Sequence, residues 1–473
     1  MYRFLSSQSL LTKRLLKGLG AQGFGKAVLT AQRLIEVPVL LSFWGTQLYG
    51  EWIMLATLPA YISLSDGGFT ISAVRAMSAR TSAGDRTGAI SIFQSQQILL
   101  IVLSILMIAG SLVLLPFVPL AKWFSFDEMN NQAGIAIVQV FVLSVLVGFY
   151  KQLISGAFWC EGHYPLGMFI SNLGLLMECG AFFIWVALGA TPLQGALIML
   201  LLRAATAALQ VFILRRTLSW LQFGFRHTRW AEIKALVSPS LASTAIPLGF
   251  SLNIQGVRLI IGATFGAVTL VSFTALRTMT RVVIQLSGII NQIFQPEMAA
   301  AYGAKDIPLL RKLFNRSSQF NFWFVGALTI SMAIGGTWLL RIWTDGRIVM
   351  DWPLYSGLLF AGVLNATWNI TMVILSAANR HQKAAVAYFV IYGAFTLILV
   401  YLSSMLEKLS GIALALIVSE IAMWASIVPQ ALKMVHLSFV EWQQAMLMPP
   451  TELIKTMIVD TKYKNRVGQQ KLE

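Results

Sequence analysis

A chain of 473 residues in which 57% of side chains are hydrophobic and 11% charged, with a mean hydropathy of +0.72, is not a soluble multidomain protein. Apolar runs of roughly 20 residues recur from end to end, each long enough to cross about 30 Å of hydrocarbon, and the ten-residue alternating segments of a β-barrel are absent. A net charge of +16 would point to nucleic acid in a soluble chain; in a membrane chain its meaning depends on where the cations fall.

The N-terminus carries Arg3, Lys13, Arg14 and Lys17 ahead of a long, glycine-rich, charged helix without a small-residue cleavage site. That pattern reads as an uncleaved first span rather than a signal peptide. Twelve spans are predicted, at roughly 18–42, 49–72, 88–115, 132–157, 166–190 and 194–214, then 237–262, 268–293, 319–340, 354–378, 384–403 and 410–432. The expected fold class is an all-α membrane protein, its twelve transmembrane helices forming two six-helix bundles around a central cationic cleft. The N-terminal bundle would cover 1–214, a cytoplasmic interfacial linker 215–236, the C-terminal bundle 237–432 and a cytoplasmic tail 433–473. The linker mixes cations with Trp220, Phe223, Phe225 and Trp230, which suits a segment lying on the inner leaflet; a nucleic-acid patch is the sharper alternative.

Orientation follows from the distribution of Lys and Arg. One set of ends carries the N-terminal cations, Arg75, Arg80 and Arg86, the cluster from Arg215 to Lys234, the cluster from Lys305 to Arg316, Arg380 and Lys383, and the tail. The other carries Lys122, Arg341, Arg347 and Lys408. Both termini are therefore expected in the cytoplasm, with the basic belt against anionic lipid. Trp44, Trp52, Trp123, Trp338, Trp343 and Trp352 fall near the opposite interface, where an aromatic girdle belongs.

The halves carry a faint repeat. A shift of 221 residues pairs Gly45 with Gly266, Gly67 with Gly288, Met77 with Met298, Ala79 with Ala300, Asp85 with Asp306 and Phe93 with Phe314. Six spans per half is an even number, so the repeats should share orientation about an axis along the membrane normal.

Polar residues inside the spans are the candidate site, because charge in hydrocarbon is costly unless it faces a cavity or a partner. Span one sets Gln22, Lys26, Thr30 and Arg33 on one helical face, with Glu36 a turn on. Span seven adds Ser251, Gln255 and Arg258, and span eight carries a stripe of Thr274, Arg277, Thr278, Arg281, Gln285 and Gln292. A lumen rich in cations suits an anionic passenger, above all a phosphate that Arg engages bidentately. Arg277 and Arg281 have no carboxylate on their stripe and are the leading substrate contacts, ahead of Arg258, Lys26 and Arg33. Asn365, Trp368 and Asn369 form a smaller patch, suited to sugar hydroxyls or to packing. Ion-coupling candidates are Glu36, Asp66 and Glu420, although capping is the favoured role of Asp66, which precedes Gly67 and Gly68. Lys151 reads as a snorkelling side chain and Arg203 as the partner of Glu178. Cys160 and Cys179 read as buried free thiols.

Nothing catalytic emerges. The four histidines lack metal spacing, Gly23-Phe24-Gly25 is not a phosphate loop, and no acidic pair occupies the first outward loop.

The pattern Leu48-Tyr49-Gly50-Glu51-Trp52, then Tyr61, then Leu64-Ser65-Asp66-Gly67-Gly68-Phe69, then the loop from Arg75 to Arg86, resembles the polysaccharide flippases. These form the polysaccharide-transport branch of the superfamily that also holds multidrug extruders and peptidoglycan lipid flippases. The resemblance covers the whole chain. It implies a non-enzymatic secondary transporter of the bacterial inner membrane that needs no cofactor. Such a transporter moves an undecaprenyl-pyrophosphate-linked oligosaccharide, the repeat unit of O-antigen lipopolysaccharide or exopolysaccharide, to the outer leaflet. It also implies coupling to H+ or Na+, polysaccharide polymerase machinery as a partner, and no nucleic acid. Two alternatives stay open: a multidrug extruder of the same fold, and a membrane-embedded glycosyltransferase or polymerase.

Overall fold

The computed structural model describes residues 2–377, 382–406 and 408–449, and the elements within them are helical. Arg380 and His381 and the tail beyond residue 449, expected on the cytoplasmic side, lie outside the described residues.

Helix α1 runs Tyr2–Ile62, 61 residues. A straight helix of that length would reach about 90 Å, three times the hydrocarbon thickness. The axis is broken at Gly45, whose φ of 74° and ψ of 179° fall in a region open essentially to glycine alone. The first two spans are thus the two arms of one helix. A 3-10 turn, Ser63–Asp66, and two left-handed glycines lead into α2 (Phe69–Ser82). Then come α3 (Arg86–Leu114), the short α4 (Leu120–Trp123), α5 (Asn131–Ala157), α6 (Tyr164–Ala187) and α7 (Pro192–Thr217). Their starts follow local chemistry: Asp85 and Asn130 cap α3 and α5, and Thr191 with Gln194 closes a capping box on α7 with Pro192 at its first position.

Helix α8 (Trp230–Ser251) passes through a π segment, Leu252–Gly256, into α9 (Val257–Gly303). Helix α9 breaks at Gly266 with φ 81° and ψ 173°, nearly the geometry of Gly45. After it come α10 (Ile307–Trp343) and α11 (Trp352–Ala377). Then α12 (Gln382–Ala387), a second π segment (Tyr388–Phe395) and α13 (Thr396–Ser404) make one continuous rod. Helices α14 (Leu409–Met434) and α15 (Phe439–Leu447) complete the described chain. Ten helical stretches are long and apolar enough to cross a membrane. Two of them contain the glycine breaks, so the described residues account for the twelve predicted spans.

The repeat is visible as shared local structure. Asp85 Oδ1 accepts from the Gly88 amide at the start of α3, and Asp306 Oδ1 accepts from the Leu309 amide at the start of α10. Gly84 and Lys305 before them both take positive φ, 81° and 57°. Met77 and Met298, and Phe93 and Phe314, are all fully buried. The pair Gly67–Gly288 departs: Gly67 ends a helix in the left-handed region, whereas α9 continues through Gly288.

By internal contacts the chain forms two compact units, one of Met1–Thr274 with Trp343–Arg347, the other of Ala275–Ile342 with the chain from Ile348 onward. The first unit extends past the 215–236 segment because α8 packs on α2 and α3. That segment is also tied to α3. Gln94 donates to the Gln222 carbonyl and accepts from the His227 amide, Ser95 receives the Arg229 amide, and Leu218 and Leu221 are buried. Of its four aromatic rings, Phe225 and Trp230 are exposed, while Arg86 covers Trp220 and Arg215 covers Phe223. Likewise Trp44 and Trp52, expected in an interfacial girdle, are buried among Phe141 and Phe182; Trp123, Trp338 and Trp352 are exposed. In the second unit α11 lies along α14, and α15 docks on α10 through buried Trp442, whose indole N–H donates to Ser318 Oγ at 3.1 Å.

Candidate functional site

In the first unit the polar face of α1 divides. Gln22, Lys26, Thr30 and Arg33 lie on a face that the protein leaves exposed. Gln32 and Glu36, on an adjoining face, line an internal cavity of about 280 Å3. Arg258 reaches the same cavity two residues after the π segment 252–256, a local widening of the helix that commonly marks functional positions. Its guanidinium donates to Gln255 at 3.3 Å, and its Nε is sealed from solvent without a hydrogen-bond acceptor among the described residues. No ion pair joins Arg33 to Glu36 among the described residues; Glu36 instead shares its cavity with Arg258.

Arg203 forms another wall. It holds Glu178 Oε2 through Nε at 3.0 Å and Nη2 at 2.9 Å, the pair expected from the sequence. Lys151 does not snorkel: its Nζ takes Glu178 Oε1 at 3.1 Å, because α5 sets it facing that carboxylate. Two cations therefore share one fully buried carboxylate. Arg203 and Pro59 also border a second cavity of about 500 Å3 that reaches Asp66.

Asp66 is committed locally. Its carboxylate accepts from the Thr70 amide at 3.0 Å and the Thr70 hydroxyl at 2.8 Å, the cap that starts α2. Glu51, not singled out among the candidate residues, is fully buried and accepts the amides of Asp127, Glu128 and Met129 together with Gln47 Nε2. Its place beside Gly50 in the motif was the available signal, but its partners lie 76 to 78 residues away.

In the second unit Glu420 of α14 organises the cluster. It accepts from Trp368 Nε1 at 2.7 Å and Asn365 Nδ2 at 3.1 Å, and Tyr392, on the π segment 388–395, bonds to it as well. Arg277 is buried and lies within electrostatic reach of Glu420, so its counter-charge comes from another helix rather than from its own stripe. Arg281, half-buried a turn away, interacts electrostatically with Tyr392. Asn365 is buried with its amide turned to Glu420, which removes it from the surface a sugar would meet; Asn369 accepts from Asn291 Nδ2 at 3.0 Å and is half-buried. Sequence reading placed Arg277 and Glu420 separately and gave no sign that they are neighbours.

No family profile and no curated protein matches the chain. Solved structures do. An inward-facing multidrug resistance MATE family transporter of the MOP superfamily aligns over 86% of this chain and 94% of its own, with 15% identity and a TM-score of 0.73. An outward-facing one aligns over 90% and 96%, with 14% identity and a TM-score of 0.59. A MOP superfamily transporter from Pyrococcus furiosus Vc1, described as having a binding pocket of reverse polarity that suggests a different function, aligns over 90% and 96%, with 15% identity and a TM-score of 0.62. The chain has the MATE fold.

Proposed function

We propose that this chain is a secondary transporter of the MOP type, working by alternating access, and that its cargo is an amphiphile with an anionic head group. The fold supports the first part, because solved proteins that share it are transporters. The observation that carries the second is charge: the five cations Lys26, Arg33, Arg258, Arg277 and Arg281 stand against three carboxylates, Glu36, Asp66 and Glu420, in the candidate set. A cation-rich set repels organic cations and retains phosphate. A lipid-linked oligosaccharide whose pyrophosphate is met by Arg281 and Arg277 fits this chemistry, with Asn369 the better placed asparagine for the glycan. Glu420, with its buried hydrogen-bond network, is the first candidate for coupling to H+ or Na+, ahead of Glu36; Asp66 is the weakest because Thr70 occupies it.

A multidrug extruder is the second reading, and the comparisons favour it, since two of the structures above are multidrug resistance transporters. The Pyrococcus transporter lends support to a cargo of different charge on this fold. Expression of Arg277→Ala and Arg281→Ala at normal levels in a strain lacking the chain decides between them. Loss of surface polysaccharide is expected. Intact polysaccharide together with altered resistance to cationic drugs would transfer the assignment to the multidrug reading.

A further inference from the structure

The cavity inside the first unit has a composition that the transport reading uses only through Arg258 and Glu36. Four aromatic side chains, Trp52, Phe141, Phe182 and Phe183, line it, with Trp52 and Phe182 stacked at 5.4 Å. Gln32, Ser144, Glu36, Arg203 and Arg258 line it as well. Lys151 and Arg203 share the single carboxylate of Glu178, which leaves one positive charge on that cluster, and Glu36 offsets Arg258. The cavity therefore carries a net positive charge in a low-dielectric setting, where an uncompensated charge is most costly. At about 280 Å3 the space is at the small end of ligand pockets and has room for one ring with a small substituent.

We infer that this cavity is a binding site for a small organic anion, a single carboxylate or similar group on a flat ring, with the anion held between Arg258 and Arg203 and the ring against Trp52 and Phe182. The inference does not rest on the cargo reading: loss of polysaccharide export and loss of this binding are separate measurements.

Cys179 lines the same cavity, whereas Cys160 is buried in a hydrophobic cluster outside it, so the protein carries its own reporter. Equilibrium binding of benzoate to the purified full-length chain is measured first, followed by the rate at which a small maleimide labels Cys179 in a Cys160→Ser background. Benzoate should bind and slow labelling, tetraphenylphosphonium should do neither, and Arg258→Gln should weaken benzoate by about tenfold, the worth of one charge-assisted hydrogen bond. In the same micelles 4-dodecylbenzoate presents the same head group from the lipid side. Competition by it assigns entry from the membrane, and its failure to compete assigns entry from water; both support the site. Absence of benzoate binding, equal binding by tetraphenylphosphonium or inorganic phosphate, or benzoate binding that is unchanged in Arg258→Gln and also in Arg203→Gln would overturn the assignment.

Discussion

Glu51 takes three successive backbone amides and a glutamine side chain onto one buried carboxylate, fixing the loop that precedes α5 to the second arm of α1. Buried donors left without an acceptor cost about 1–3 kcal/mol each. Glu51→Gln keeps the shape but turns a donor toward those amides, so it should lower stability by about 3 kcal/mol. Thermal unfolding in detergent would show this as a lower Tm, and an unchanged Tm would mean the contacts contribute nothing. Glu178 makes a sharper comparison. Glu178→Gln strands both Lys151 and Arg203 and should cost about 3–5 kcal/mol, the usual penalty for breaking a buried pair. Lys151→Met leaves Arg203 doubly bonded and should cost less. Equal losses would refute the shared-carboxylate arrangement. At the start of α3, Arg80, the Gly88 amide and the Thr87 hydroxyl hold the half-buried Asp85 carboxyl down at about 2. Its folded value lies below the ordinary 3.9, so the contribution is complete above about pH 4 and fades as the pH falls toward 2. Hydrogen-exchange protection of the Gly88 amide should decline over that window and be absent at all pH values in Asp85→Ala. The Arg203–Glu178 pair was legible because both residues sit at like depth in adjacent spans. Lys151 and the meeting of Arg277 with Glu420 were not, because which side chains meet across helices depends on rotation about each helix axis, which composition does not encode.

At the scale of elements, the two broken helices carry the architecture. Gly45 and Gly266 hold the same backbone conformation at positions 221 apart, and each joins two spans without a loop. A Cβ at either would meet open space, so a substitution there tests conformation alone. Gly45→Ala and Gly266→Ala should each cost about 1–3 kcal/mol, the strain of a side chain in that region, with little change in packing. A Tm no lower than that of the parent in both variants would show that the breaks relax freely. Gly50 works differently: a Cβ there would strike the Ala267 carbonyl, so its smallness lets α1 approach the segment just after the Gly266 break. The defects in α1 are closed by residues 343–347. Pro38 cannot donate to the Leu34 carbonyl, and Trp343 Nε1 supplies that bond; Arg347 Nη1 donates to the Leu41 carbonyl, four residues before the break at Gly45. Hydropathy located the spans, and the 221-residue shift identified the paired glycines. What it missed was the mending by Trp343 and Arg347, because a tryptophan near an interface reads as a membrane anchor whichever group its N–H finds.

For the whole molecule, the traverse count and the repeat predict a topology, and the cation distribution predicts its orientation. Twelve traverses return the chain to its starting side, and the loops bearing Arg75, Arg80 and Arg86 and Lys305, Arg311 and Lys312 occupy equivalent places in the two repeats. Their backbones match down to the hydrogen bonds: the Asp85 amide donates to the Arg80 carbonyl, and the Asp306 amide to that of Ala301. The two ends of α3 provide the test, since a 29-residue helix, about 44 Å long, puts Ala83 and Lys122 on opposite sides of any bilayer. In a background without native cysteines, Lys122→Cys should react with a membrane-impermeant maleimide in intact cells, and Ala83→Cys only after permeabilisation. Lys305→Cys should follow Ala83→Cys, because repeats of six traverses share orientation. Labelling of Lys305→Cys from outside with Ala83→Cys protected would make the repeats inverted. Labelling of both from outside with Lys122→Cys protected would reverse the whole chain and move its basic belt away from the inner leaflet.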